Sequence, residues 1–375
     1  MVKKVNISQV DVLLLNWTYP IEFLLYFPKG LDTRKIRKAL KKLSSVFWPM
    51  FGLHRNGVIS FKEYAEDDFY NEKVINQNFM IPETEVERYE LYSRYSPPDL
   101  KQLFFLEIKR FKNGMVLIPQ MKHLAGDGYS YFYFLSSLAV LSQPTLLPSK
   151  SSLMQLFFKP HHRRTILRSF SSKEIERELV QQDSQFSLEV ERVPRKDVNS
   201  WIRKVLESKN FRISSNDILT AMALKKLTGA QKEFKDEFIE LTIPIDVRRK
   251  VKEYGRRFFG NGIMLHSMRL KRSDIEDLAV KDIAIEIRKS MPSISKQSYT
   301  AYLAKLEEII SEGKTEKLRP FDPKSGFLVT NISRLPIEKL DFGTGPPDLI
   351  FPLTLEKNTA AVMAKDESFV LRFVY

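Results

Sequence analysis

The chain has no cysteine among its 375 residues, which excludes disulfide bridges, thiolate metal sites and any mechanism passing through an acyl-cysteine. Such a composition is compatible with a reducing compartment. No window approaches the roughly 20 apolar residues of a transmembrane helix, and no long biased segment suggests disorder. The opening "MVKKVNISQVDVLLLNWTYP" has basic residues and a short apolar run, but Asp11 and Asn16 bound that run and leave it too short for a signal core. The expected location is cytoplasmic. No internal repeat is detected. "DFG" at 341–343 lacks a preceding Gly-rich loop and an H-R-D catalytic loop, so Asp341 is not read as a kinase magnesium ligand. "GYSYF" around Ser130 lacks the second glycine of a nucleophile elbow, which argues against a serine hydrolase.

Hydrophobic residues make up 43% and charged residues 28% of the chain, the usage of an ordinary folded protein. Its length exceeds the usual single-domain size, so two domains are expected: residues 1–165, a connecting segment over 166–200, and residues 201–375. The formal net charge of +14 favours anionic partners, among them nucleic acid, acidic lipid, an acidic protein or a polyphosphorylated cofactor. Basic residues are mixed with acids along the chain and form no recognisable nucleic-acid module, so nucleic acid is not the expected partner.

"DTRKIRKALKKLSSVFW" places Ile36, Ala39, Leu40, Leu43, Val46 and Phe47 at helical spacing behind an Asp32 or Thr33 cap. The expected role is a helix packed on a sheet with its lysines in solvent, in preference to a membrane-surface helix. Strands are expected at 21–27, 57–64, 103–111 and 114–121, the last two joined by the hairpin signal "KNG". "YSYFYFLSSLAVL" reads as a buried helix, which puts His123 where a strand ends and a helix begins. Beyond a loose region from about 149 to 200, with a charged helical stretch "SSKEIERELVQQ", the pattern again mixes elements. "SSNDILTAMALKKL" is a capped helix, "EFIELTIPIDVR" a strand, "RSDIEDLAVKDIAIEIRKSM" and "QSYTAYLAKLEEIISE" helices, "GFLVTNI" and "SFVLRFVY" strands. Alternation of this kind implies α/β layers.

Between the two apolar segments lies "MKHLAGDGYS". For acyl transfer to a hydroxyl or amine the acceptor loses its proton as it attacks, and imidazole is the natural base for that task near neutral pH. An aspartate four residues after His123 could brace the turn against an arginine, while Gly126 and Gly128 permit angles or approaches that other residues resist. The pair His161-His162 has no ligand at helical spacing and reads as a solvated connector, and His54 and His266 as ordinary structural histidines. No metal site is expected.

"HLAGDG" resembles the H-x-x-x-D-G motif of the chloramphenicol acetyltransferase-like superfamily, and "LDFGTG" at 340–345 the D-F-G-W-G motif of its BAHD acyltransferase branch. "FWPMFGLHRNGVI", "ISSNDILTA", "IPIDVRRK", "RRFFGN" and "VTNISRLPIEKLDFG" extend the likeness over nearly the whole chain. The resemblance implies two α/β domains, each a mixed sheet flanked by helices, with an active-site channel between them. It implies a monomeric acyltransferase taking acyl-CoA as co-substrate, with no tightly bound cofactor and a small-molecule hydroxyl or amine acceptor. His123 becomes the base, Asp127 the partner of Arg248, and Thr330 a donor near the oxyanion. Ser214 and Ser215 become candidate CoA contacts, although one of them would equally cap the helix that follows. Gly128, Asn261, Asp341 and Gly343 occupy structural places in the matched motifs. Two departures stand out: Thr344 and Ile332 replace family tryptophans. The alternatives are a condensation-type enzyme with an acidic acyl-carrier protein as donor, against which Lys122 stands at the first position of that group's His-His pair, and a catalytically silent binding relative.

Overall fold

Of the strands read from the first third of the chain, those at 21–27, 103–111 and 114–121 join one mixed sheet and the one at 57–64 goes to a small separate sheet, while most strands of the second half form another. The computed structural model describes residues 2–15, 19–95, 102–143, 159–170, 174, 186–231, 236–314, 318–337 and 340–375. In the first sheet β2 (Ile21–Phe27), β5 (Tyr70–Val74), β6 (Phe104–Phe111), β7 (Gly114–Met121) and β12 (Leu349–Pro352) lie in the order β12-β2-β7-β6-β5. The expected hairpin forms, pairing Phe111 with Gly114 and Phe104 with Met121. Gly114 sits at φ +155°, and a Cβ there would lie 2.7 Å from the Phe27 carbonyl oxygen, so the turn admits only glycine without strain. Asn113 accepts from the Phe79 amide at 2.7 Å and donates to the Phe79 carbonyl at 3.0 Å, tying the turn to its neighbour.

The second sheet contains β8 (Leu188–Pro194), β9 (Phe238–Asp246), β10 (Ile263–Lys271), β11 (Gly326–Asn331), β13 (Thr359–Lys365) and β14 (Ser368–Val374), in the order β10-β9-β11-β13-β14-β8. β8 and the start of the following helix, Arg195–Lys209, lie within the stretch read as a connection, yet β8 pairs along its length with β14. The charged stretch at 171–182 lies outside the described residues except for residue 174. The long helix read over 272–291 is two helices, Arg272–Asp277 and Val280–Ser290, parted where Leu278 and Ala279 turn extended. Neither glycine nor proline stands there. Leu278 and Val280 pack instead against the second core, so tertiary burial overrides helical spacing. A three-stranded sheet of β1 (Lys3–Asn6), β3 (Leu53–Arg55) and β4 (Val58–Phe61), in the order β1-β4-β3, completes the strands described.

The halves interlock in two ways. β12 comes from the second half of the chain and pairs antiparallel with β2, placing Phe351 opposite Leu24. One hydrophobic core joins residues of the first half, such as Phe47, Phe51 and Phe134, to Val247, Phe258 and Phe259 of the second. The helix Thr33–Ser44, capped by Asp32, buries Ile36, Ala39, Leu40 and Leu43 in that core and leaves its lysines outside, as its spacing predicts.

Phe134, on the helix Gly128–Ser142, is fully buried and meets Phe104, Phe47 and Phe51 edge-on with ring centroids 5.0, 5.4 and 5.8 Å away. Phe134→Ala is expected to cost about 3–5 kcal/mol by opening a cavity in the shared core. Chemical denaturation measures it, and a loss below about 1 kcal/mol would mean the rings collapse around the gap.

Candidate active site

β7 ends at Met121, the chain turns through Lys122–Gly126, and the 128–142 helix begins, so His123 stands at a strand-to-helix junction as its sequence context predicts. Two buried networks hold this turn. In the first, Asp127 caps the helix, its Oδ1 accepting from the Ser130 amide at 3.0 Å. Arg248 grips the same carboxylate bidentately, Nη1 to Oδ2 at 2.8 Å and Nη2 to Oδ1 at 2.9 Å, and the Gly262 amide donates to Oδ2 at 2.9 Å. Arg248 also donates to the Gly260 carbonyl (2.9 Å), the Phe258 carbonyl (3.2 Å) and the Ser130 hydroxyl (3.0 Å). The ring of Tyr129 lies 4.5 Å from the guanidinium carbon. With side-chain exposures of 1% and 5%, this pair is sealed from water, and its charges are tolerable because nearly every donor and acceptor is used.

The glycines of this region differ in kind. A Cβ on Gly262 would lie 2.7 Å from the Arg248 guanidinium, and one on Gly126 would lie 2.8 Å from the Ser130 Cβ. Gly128 has no such constraint. It starts the helix with ordinary angles, and a Cβ there would meet only Leu335 at 3.6 Å.

The second network went unnoticed in the sequence. Asn261 Nδ2 donates to the His123 carbonyl at 2.8 Å and to Asp11 Oδ1 at 2.7 Å. Asp11, fully buried, also accepts from the Ser8 amide and hydroxyl and forms an ion pair of 3.2 Å with the equally buried Arg164. The available signal was an acid inside the apolar run "VDVLLL" of the helix Gln9–Leu15, where a lone aspartate demands a partner.

Burial pushes the pKa of His123 down to about 4 from the usual 6.5, with the Asp127 charge pulling weakly the other way. Its imidazole is therefore neutral at physiological pH and able to accept a proton. Beside it opens a cavity of about 220 Å³, walled by leucines of the 9–15 helix, by Gly52–His54, by Gln102–Leu103 and by Lys122–Leu124. His54, read as a structural histidine, is thus part of the wall.

The other candidate residues lie elsewhere. Thr330 is half-buried on β11, opposite Ala361 of β13, and does not line this cavity. Ser214 stands at the N-cap of the helix Ser215–Ala230: its hydroxyl donates to Asp217 at 2.9 Å and accepts from Arg288 at 2.8 Å, so the capping reading is realised. Asn216, one residue past Ser215, accepts from Asn331 at 2.7 Å and ties this helix start to the end of β11. Asp341 folds its loop, Oδ1 accepting from the amides of Gly343 (2.7 Å) and Gly345 (2.9 Å), while its carbonyl accepts from Gln143 and Phe342 packs on Phe27. That is a structural use of D-F-G. His161 and His162 are not a solvated connector: their Nε2 atoms meet the carbonyls of Tyr254 (2.6 Å) and Val46 (2.9 Å), and His162 packs edge-on to Trp48 and Phe259.

Asp127→Asn keeps the shape of the carboxylate but leaves the buried Arg248 with only the half-exposed Asp246 carboxylate, 3.1 Å from Nη1, as counter-charge. It is expected to cost roughly 3–5 kcal/mol of stability, read from denaturant midpoints. An unchanged midpoint would show that the pair does not hold the junction.

The model of the Transferase family matches residues 74–369. No curated protein sequence gives a match. Among solved structures, F. sporotrichioides TRI101 complexed with coenzyme A and T-2 shares 14% identity at a TM-score of 0.73, over 99% of this chain and 94% of that one. Vinorine synthase shares 16% identity at a TM-score of 0.68, over 100% and 94%. The first condensation domain of the calcium-dependent antibiotic synthetase shares 13% at a TM-score of 0.58, over 99% and 90%. These likenesses establish the two-domain chloramphenicol acetyltransferase-like fold, and the family match covers most of the chain. With the junction of strand and helix carrying His123 inside that fold, the chain belongs to the BAHD-type acyltransferases of the chloramphenicol acetyltransferase-like superfamily.

Proposed function

We propose that the protein moves an acyl group from a coenzyme A thioester to a hydroxyl or amine of a small molecule, with His123 as general base. The observation that carries this reading is a neutral, buried imidazole at the edge of a cavity, on a turn clamped by Arg248–Asp127 and Asn261. TRI101 structures that share the fold hold coenzyme A together with T-2 or deoxynivalenol, which supports a donor and acceptor bound at once.

In the proposed reaction the acceptor O–H or N–H gives its proton to His123 while its oxygen or nitrogen attacks the thioester carbonyl. The carbonyl electrons move to oxygen, giving a tetrahedral oxyanion for which Thr330 is the proposed donor. As the carbonyl re-forms the C–S bond breaks, and the proton on His123 passes to the departing sulfur. No acyl-enzyme is needed. Much of the acceleration would come from holding both substrates in line, which gives a direct purpose to the two networks that fix the turn. The excess of basic residues suits the phosphates of the donor. Ser214 and Ser215 remain proposed contacts for that donor at a helix N-terminus.

The test is thiol release from a panel of acyl-CoAs, with and without pooled alcohols and amines; the chain itself contributes no thiol. His123→Ala is expected to lower acceptor-dependent turnover at least about 100-fold with little change in unfolding midpoint. Near-normal turnover would remove His123 from the role of base. Release from acyl-carrier protein but not from any acyl-CoA would assign the donor to the condensation-type alternative.

The depressed pKa sets two pH dependences. The folded state disfavours protonated His123, so its contribution to stability is full above the ordinary value of 6.5 and is lost as pH falls towards about 4. For the same reason the acid limb of kcat/KM should lie well below 6.5, near 4 to 5, provided the fold persists. A limb at 6.5 would mean that His123 is solvated in the working enzyme.

A further inference from the structure

The small sheet β1-β4-β3 has a buried side and an open one. Ile59 and Phe61 of β4 turn inward to the core shared by both halves, and Val5 of β1 packs against that core. Residues paired across strands share a face of the sheet. The pairings Lys4–Ser60–Leu53 and Asn6–Val58–Arg55 therefore lie on the other side. Lys4, Leu53 and Arg55 are exposed there, Leu53 to 62%. Past the Lys3–Phe61 pair come Val2, 48% exposed, and Lys62, whose ion pair with Glu63 stands in solvent. None of the six paired outward residues is an acid, and Asn6 is taken up by a hydrogen bond to the Ser169 hydroxyl. Leu53 also has a second place: with Gly52 and His54 it walls the cavity beside His123. The open face thus adjoins the candidate active site.

We propose that this face docks on an anionic lipid bilayer, with Lys4, Arg55 and Lys62 against the headgroups and Leu53 and Val2 entering the boundary of the acyl chains. Charge complementarity and the two bare apolar side chains carry the assignment together. Cations alone would suit any polyanion, but a bare leucine set among them matches the layered order of a membrane surface, charge outside and hydrocarbon just beneath. Size argues against a protein partner. Three strands of three or four residues make a face of roughly 10 by 13 Å, far short of the roughly 800 Å² that each side of a stable protein complex covers. A bilayer sets no such minimum, because each side chain adds its own share: a basic residue near an anionic surface is worth about fivefold in binding. Docking of this strength is reversible and weakens as salt screens the surface. Seated in this way, the protein turns the Leu53 rim of the His123 cavity towards the lipid. The proposal stands apart from the acyltransfer reading, since nothing in it depends on the chemistry at His123.

The test sediments full-length protein with phosphatidylcholine vesicles made with and without phosphatidylserine. Binding is expected to be at least about tenfold tighter with phosphatidylserine. That advantage should disappear in the double variant Lys4→Glu, Arg55→Glu and persist in Lys204→Glu, Lys281→Glu, which changes the net charge equally on helices that pack over the second core. All four side chains are exposed, so loss of folding does not confuse the comparison. Because the chain has no cysteine, Leu53→Cys and Lys204→Cys each accept a single polarity-sensitive dye. Its emission is expected to shift to the blue on phosphatidylserine vesicles in the first and not in the second. Equal binding to both vesicles, no binding to either, equal loss from the two charge reversals, or a dye that stays in water in Leu53→Cys would overturn the proposal. Capture by immobilised poly-glutamate without binding to vesicles would overturn it too, and would assign the face to an acidic protein.

Discussion

Arg248 brings a permanent charge to a place where 1% of its side chain meets water, and the surroundings supply what water would have. Asp127 takes two of its donors, the carbonyls of Phe258 and Gly260 and the Ser130 hydroxyl take others, and Tyr129 covers its face. A buried ion pair of this kind adds little net stability compared with a well-packed apolar substitute, but it is very intolerant of losing one partner. Its value here is geometric. Arg248 stands in the second half of the chain and Asp127 in the first, so the pair sets the separation and angle of the halves at the point where the His123 turn sits.

That dependence spreads outward. Gly262 has no side chain because the guanidinium occupies the space, and its amide completes the shell of Asp127. The neighbouring Asn261 reaches the other way, to the His123 carbonyl and to Asp11, which in turn holds Arg164. Three consecutive residues, Gly260 to Gly262, therefore serve both networks. The His123 turn is fixed from two sides, beside the cavity that His123 lines. Packing supports this from below: the helix that begins at Gly128 sends Phe134 into the core shared by both halves. Even the D-F-G loop, whose family tryptophan is Thr344 here, contributes through Phe342 on Phe27 and through Gln143 at the far end of the same helix.

Local features were the legible ones. β2 and β7 run over the residues their apolar character predicts, the hairpin turns at Lys112-Asn113, and the 128–142 helix follows the histidine turn. These depend on neighbours within a few positions. The Asp127–Arg248 pair was reachable only through resemblance, since 121 positions separate the partners and nothing local in either segment names the other. Asp11 and Asn261 are 250 positions apart, and their contact was not anticipated at all. His162 looked solvated because its sequence neighbours are basic, whereas its spatial neighbours are Trp48 and Phe259.

From the sequence alone came the absence of any thiol chemistry, the positions of most strands and helices, and an imidazole with an aspartate four residues on at a strand-to-helix junction. Periodicity and turn chemistry act over short spans, so one chain suffices to read them. Only the tertiary structure decided that β12 crosses to complete the first sheet, that the second network braces the His123 carbonyl, and that His54 and Gln102 meet His123 around one cavity. Those outcomes depend on which distant surfaces become buried together. Burial then changes the chemistry itself, turning an ordinary histidine into one that stays neutral down to about pH 4.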